Sequence, residues 1–236
     1  MKPTLKNSKG FTLAEVLITL GIIGIVASIT IPGIVAQKQR KELHSQLLAG
    51  YSLLQQALER MQSETGITPI AKDFTTRTFK PEYIKYFDNP IDCGLGGVWS
   101  TKKSQLCGAG GYDENKNQLM KTYKSYNKAA DRVNSTPLDD GQFALKNGML
   151  ILIENWTTLG RIYISIDVNG ATKKPNQWGH DLFTFQLMND GKLLPMGNPE
   201  TDYHSTNTCS KTSTSNINGI SCTYEALTNP DYWNNL

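Results

Sequence analysis

Charged side chains are scarce in this sequence. Asp, Glu, Lys and Arg make up 19% of 236 residues, against roughly 25% in an ordinary soluble domain. Histidine is scarcer still, with three, and the four cysteines form no short cluster with them. That excludes a Cys/His zinc module. A G-x-S-x-G elbow, an HExxH pair and a Walker loop are also missing, so no familiar catalytic signature is present. The glycine groups within 93–97 and 108–111 are followed by no GK[ST] and read as loops. His44, His180 and His204 read as surface or partly packed side chains rather than bases. The chain is not expected to be an enzyme. Disorder is excluded too, because 10 Tyr, 7 Phe and 4 Trp supply ample material for a core.

What charge there is lies unevenly. Lys2, Lys6 and Lys9 face no acid in the first ten residues and account for the whole formal +3. The neutral remainder argues against a broad nucleic-acid grip. Behind this leader runs Phe11–Ala36, 26 residues with Glu15 as the one charge. As a helix it would span about 39 Å, enough to cross a bilayer. A secretory signal peptide has a shorter apolar region and a small-residue cleavage site. A plain anchor leaves Glu15 unexplained, since a carboxylate in an apolar segment is costly and marks function.

Lys9-Gly10-Phe11-Thr12-Leu13-Ala14-Glu15 closely resembles the processing site of type IV pilins and type II secretion pseudopilins. The resemblance covers about residues 6–60. It implies that a prepilin peptidase cuts after Gly10, leaving Phe11 as an N-methylated amino terminus. It also implies that Glu15 is the glutamate the family keeps, paired in a filament with the Phe11 amine of an adjacent subunit. Pro32 falls where many pilins have a helix-disrupting proline.

Beyond the apolar run, Leu43, Leu47, Leu48, Tyr51, Leu54, Leu58 and Met61 recur at helical spacing. Their stripe is expected to pack on the chain's own globular part, and Gly66 and Pro69 supply a stop. Residues 67–138 read as irregular, with a short helix over Lys116–Arg132. Tyr123 and Tyr126 there could stack on nucleic acid, but a solvated face is the plainer reading. Strands are expected at Gln142–Lys146, Met149–Glu154, Arg161–Asp167, Phe183–Met188 and Lys192–Leu194, with turns at Asn147-Gly148 and Asn189-Asp190-Gly191. In the third strand Ile162, Ile164 and Ile166 point inward against Tyr163 and Ser165. The fold class is therefore α+β: one long helix on a four- to five-stranded antiparallel sheet with disulfide-closed loops. Its parts are a cleaved leader (1–10), an apolar transmembrane and assembly helix (11–36), an amphipathic continuation (37–66) and a globular domain (67–236).

Two features of that domain carry chemistry. Asp167, Asn169, Asn176 and Asp181 lie within fifteen residues in a loop resembling one that recurs in pilin-like proteins. Their oxygens could hold Ca²⁺, although Asx side chains in such loops usually bond to nearby amides. No other cofactor is expected. Cys93, Cys107, Cys209 and Cys222 allow three pairings. The sequence-local one, Cys93–Cys107 with Cys209–Cys222, suits a domain outside the cytoplasm, and free buried thiols are the alternative.

Taken with the resemblance, these features describe a structural subunit of a type IV pilus-like filament. The implied partners are prepilin peptidase, membrane lipid before assembly, an inner-membrane assembly platform, and copies of itself and other pilins. The implied location is the inner membrane, single-pass, with the globular domain extracytoplasmic. The alternatives are a type II secretion pseudopilin, a DNA-uptake pilin, or a monomeric membrane-anchored binding protein. Residues 37–132 carry 15 basic and 10 acidic side chains, and 139–236 carry 6 and 10. Such opposed surfaces suit contact between identical subunits.

Overall fold

The computed structural model describes residues 10–94, 104–107, 122–130, 133–156 and 160–236. The chain divides into two units, Met1–Lys41 and Glu42–Leu236. Helix α1 runs from Leu13 to Thr65. It ends where the sequence places a stop. Gly66 adopts a left-handed φ of 70°, and its amide bonds the Gln62 carbonyl at 2.8 Å, capping the last turn.

Within the second unit, α1 buries Leu43, Leu47, Gly50, Leu54, Ala57, Leu58 and Met61. Most of the expected stripe is there, but Leu48 is 49% exposed. Gly50 and Ala57 take part in the seam because close approach favours small residues. A Cβ on Gly50 would lie 2.7 Å from Cδ1 of Ile166. Half-buried Tyr51 fixes the register of the helix: its hydroxyl donates to the Leu193 carbonyl at 2.9 Å, and its ring stacks on Phe185. Short helix α2, Phe79–Tyr83, adds Tyr83, whose hydroxyl donates to the Leu54 carbonyl at 2.7 Å.

The sheet has six strands in sequential order, all antiparallel: β1 Ile91–Asp92, β2 Gly141–Ala144, β3 Leu150–Trp156, β4 Arg161–Asp167, β5 Leu182–Leu187 and β6 Leu193–Pro195. The expectation of four or five strands falls one short. Strand β1 has two residues, too few to show periodicity, and lies in the stretch read as irregular. On the helix face, Ile151 opposes Ile166 and Ile153 opposes Ile164. Across β4 and β5, Ile164 then opposes Phe185 and Ile166 opposes Phe183. These residues form one core with Leu43, Leu47 and Leu54.

The other face departs from simple alternation. Tyr163 and Ser165 do turn away from the helix, yet both are buried. Leu150, Leu152 and Tyr163 join Tyr123, Val133, Leu138, Trp178 and Ile220 in a second core. Ser165 and Thr184 are satisfied there by their neighbours. Ser165 and Thr184 share a 2.8 Å hydroxyl bond, the Trp178 indole donates to Thr184, and the Thr184 amide donates to Thr223. Thr223 belongs to α3, Cys222–Thr228.

Of the expected helix over Lys116–Arg132, residues 122–130 are described, and past Thr122 they form a bridge and turns instead of a helix; the rest lies outside the described residues. In its described part, Lys124 bridges to Gln177, and Tyr123 and Tyr126 are buried. They belong to a core, so they form no stacking face for nucleic acid. Cys93 is joined to Cys107 and Cys209 to Cys222. The Ser/Thr/Asn-rich loop closed by the second bridge has an internal hub as well. Fully buried Asn218 donates to the carbonyls of Ser210 and Ser213 and accepts from the Ser210 amide.

The close approach at Gly50 is testable by thermal unfolding of the detergent-solubilised protein. Gly50→Val should destabilise by about 1–3 kcal/mol through overpacking. Gly50→Ala should lose less, because its gain of about 1 kcal/mol in helix propensity offsets a shift of one terminal methyl. A Gly50→Val protein as stable as the parent would show that the two elements do not meet this closely.

Candidate processing and assembly segment

The segment begins at Gly10, and Phe11 is 89% exposed. Thr12 is the cap residue of α1: its carbonyl accepts from the Val16 amide. Glu15 occupies the third helical position and reaches back. Its Oε2 accepts from the Thr12 amide and from the Thr12 hydroxyl, both at 2.8 Å. Thr12 Oγ1 in turn accepts from the Glu15 amide at 3.2 Å. This reciprocal arrangement is a capping box, written in the sequence as Thr-x-x-Glu. It gives Glu15 a local role that the charge-pairing reading overlooked, although the spacing was there to be read.

Beyond that start, the helix exposes its large apolar side chains on every side. Leu17, Ile18, Ile22, Ile25, Ile29 and Ile34 are each more than half exposed. The polar residues among them turn inward on their own backbone. Thr19 donates to the Glu15 and Val16 carbonyls, Ser28 to Ile25 and Thr30 to Val26. Such back-bonding removes the cost of carrying hydroxyls into an apolar medium. This helix is long and apolar enough to cross a membrane. Pro32 lies inside it, and the helix continues past Pro32 rather than breaking. The residue removes one amide without clearing the turns on either side.

The four loop residues considered for Ca²⁺ are brought together. Asp167 accepts from the Tyr123 hydroxyl at 2.7 Å and the Gly170 amide at 2.8 Å. Asp181 accepts from the amides of Asn176 and Gln177, both at 2.6 Å. Asn169 and Asn176 donate to the carbonyls of Lys174 and Ala171. Every oxygen of the two carboxylates thus receives a bond from the protein itself. Burial, aggravated by each other's charge, raises the Asp167 carboxyl well above its ordinary value, and burial pushes Asp181 up to about 6.

A second acidic group escaped the sequence reading, because its members lie on either side of a hairpin. Asp139 and Asp140 precede β2, and Glu154 lies on β3. One carboxylate oxygen from each lies within 4.8 Å of the others. Burial and the two neighbouring carboxylates push Glu154 up to about 9, and Asp139 rises to about 6 mainly through burial. His180 moves the other way, down to about 4 through burial.

These directions fix a pH dependence. A buried acid with a raised folded value holds a proton that the unfolded chain releases, so its contribution is lost as pH rises towards the folded value. His180 acts with opposite sign, but only between about pH 6.5 and 4. Between about pH 6.5 and 9 the buried acids act alone, and chelator-treated protein should lose melting temperature steadily across that window. Glu154→Gln should flatten the slope. An unchanged slope in that variant would show that Glu154 ionises freely in the fold.

Comparison with known proteins bears on the first of these features. Neither a search of curated proteins nor one of solved structures finds a match. Residues 5–31 match the family described as the prokaryotic N-terminal methylation motif. The matched stretch contains Gly10, Phe11, the capping box and the exposed apolar helix. The chain carries the type IV pilin and pseudopilin signature at its amino terminus.

Proposed function

We propose that the protein is a structural subunit of a type IV pilus-like filament, cleaved after Gly10 by prepilin peptidase and assembled through α1. The observation that carries this reading is the apolar surface of α1 behind the methylation motif. A helix that is apolar all round must be covered by lipid or by other helices. In the membrane it anchors the precursor, with the globular domain outside the cytoplasm. In a filament its cover is the same segment of neighbouring copies or of other pilins. The type II secretion and DNA-uptake roles use the same segment, and the disulfide-closed loop near the carboxyl terminus favours the pilus.

Processing is checked by co-expression with a prepilin peptidase. Mass spectrometry of the mature chain should show Phe11 at its amino terminus, and a bulky substitution at Gly10 should block the cut. An intact Met1, or a cut near Ala36, would overturn the proposal.

Assembly is checked at Glu15, where the capping box supplies its own control. Gln at this position preserves a capping box but removes the charge, whereas Thr12→Ala removes the hydroxyl and leaves the charge. If pairing with a neighbour's Phe11 amine guides docking, Glu15→Gln should be processed and inserted normally yet yield few sheared filaments. Thr12→Ala should then still assemble. The opposite ranking would make Glu15 a helix-capping residue and remove the charge-pairing mechanism.

A further inference from the structure

The structure assigns a cation site to Asp139, Asp140 and Glu154, and we propose that it takes Ca²⁺. The three side chains converge from the segment just before β2 and from β3. Asp140 is fixed on both oxygens: Oδ1 accepts from Nε of Arg77 at 2.8 Å, and Oδ2 accepts from the Asn155 amide at 3.1 Å. Its backbone amide also bonds the Ile153 carbonyl at 2.9 Å, so it is held against β3. Glu154 faces Tyr163 across β3 and β4 and is 5% exposed. Its Oε2 is buried without a hydrogen-bond partner. A buried carboxylate oxygen without a donor is expensive, and this one belongs to the cluster itself.

Charge and spacing point the same way. Three carboxylates converge, and Arg77 is the cation paired with them, through Asp140. Once the proton on Glu154 is displaced, three carboxylates beside one guanidinium leave a deficit of two, which a divalent ion would neutralise. Ligand oxygens all within 4.8 Å of one another can touch one ion at the 2.3–2.6 Å that Ca²⁺ prefers. The donor set is oxygen alone, which suits a hard cation and not zinc or copper. Asp139 is only half-buried and opens the group to solvent, giving the ion an entry path and room for the waters that would complete six to eight ligands. In the Asp167–Asp181 loop protein donors occupy all four carboxylate oxygens, and the buried oxygens left without a donor are the neutral amide oxygens of Asn169 and Asn176 rather than a carboxylate.

The test uses the full-length protein in detergent, stripped with chelator and titrated with CaCl₂ by calorimetry, with melting temperature read in parallel. Saturable binding of about one ion per chain is expected, with a dissociation constant on the order of 10⁻⁴–10⁻³ M as in extracellular modules. Saturation should raise the melting temperature by several degrees. Glu154→Gln should abolish binding. Asp139→Asn, at the open edge of the cluster, should weaken it at least tenfold without unfolding the chain, and it carries the test if the Glu154 variant fails to fold. Asp167→Asn should leave binding intact. Three results would overturn the proposal: no binding at about 10 mM CaCl₂, unchanged binding in Asp139→Asn, or loss confined to Asp167→Asn. The first would mean that a shared proton, not a cation, holds the three carboxylates together.

Discussion

The structure depends on a surface that the protein cannot cover by itself. From Phe11 to Ala36 the helix shows apolar side chains around its circumference, and its hydroxyls are bonded to its own backbone. Nothing on this segment asks for water beyond its first turn. Its cover must come from lipid tails or from other apolar helices, and the two are interchangeable as far as burial is concerned. The principal core of the globular part, by contrast, contains Leu43 and Leu47 but no residue of the first unit. The second core lies wholly in the globular part as well. In the proposed assembly the segment would exchange one apolar surrounding, lipid, for another, neighbouring helices.

In the proposed filament Glu15 would have two competing partners. In the single chain its Oε2 is held by both donors of Thr12, which makes a carboxylate near the membrane surface less costly than an unbonded one. Cleavage after Gly10 would create an amine at Phe11, one residue before the cap. Among packed apolar helices the low dielectric strengthens an ammonium–carboxylate pair far more than it strengthens a neutral amide bond. The capping box sets the helix start in the single chain, and in the proposed filament charge pairing would become the stronger attraction once water is excluded. A Thr-x-x-Glu sequence serves both, because it keeps the carboxylate at the end of the helix where the new amine forms.

Much of this was legible in the sequence. The motif at Lys9–Glu15 was legible through its family resemblance, whereas the stop at Gly66, both hairpin turns and five of the six strands follow from local chemistry that needs no tertiary knowledge. What escaped reading was what tertiary contact decides. Leu48 fits the helical period, yet Gly50 is in the seam, because the approach to Ile166 and not hydrophobicity selects that position. Tyr163 and Ser165 alternate as solvent-facing residues should, and are covered only because Trp178, Ile220 and Tyr123 fold over them from distant parts of the chain. Asp139, Asp140 and Glu154 are separated by a hairpin, so only the strand pairing puts them side by side.

The two buried acidic groups show how differently one fold can treat the same charge. A protein with few charged residues has set Asp140, Glu154, Asp167 and Asp181 inside itself. At Asp167 and Asp181 the surrounding loop turns backbone amides and a tyrosine hydroxyl onto the carboxylates, so the chain's own dipoles answer the charge. That solution draws on a loop, whose amides are free to point inward. Glu154 lies in the middle of a sheet, where backbone amides are already committed to the neighbouring strands. The Asn155 amide at the end of that ladder goes to Asp140, and Glu154 receives none at its Oε2. It must lower its charge by keeping a proton or have the charge met by an ion from solution, and the half-open position of Asp139 gives an ion access. The difference between the groups thus lies in what answers each charge: loop amides and a tyrosine hydroxyl meet Asp167 and Asp181, Arg77 and the Asn155 amide meet Asp140, and Glu154 Oε2 has no donor.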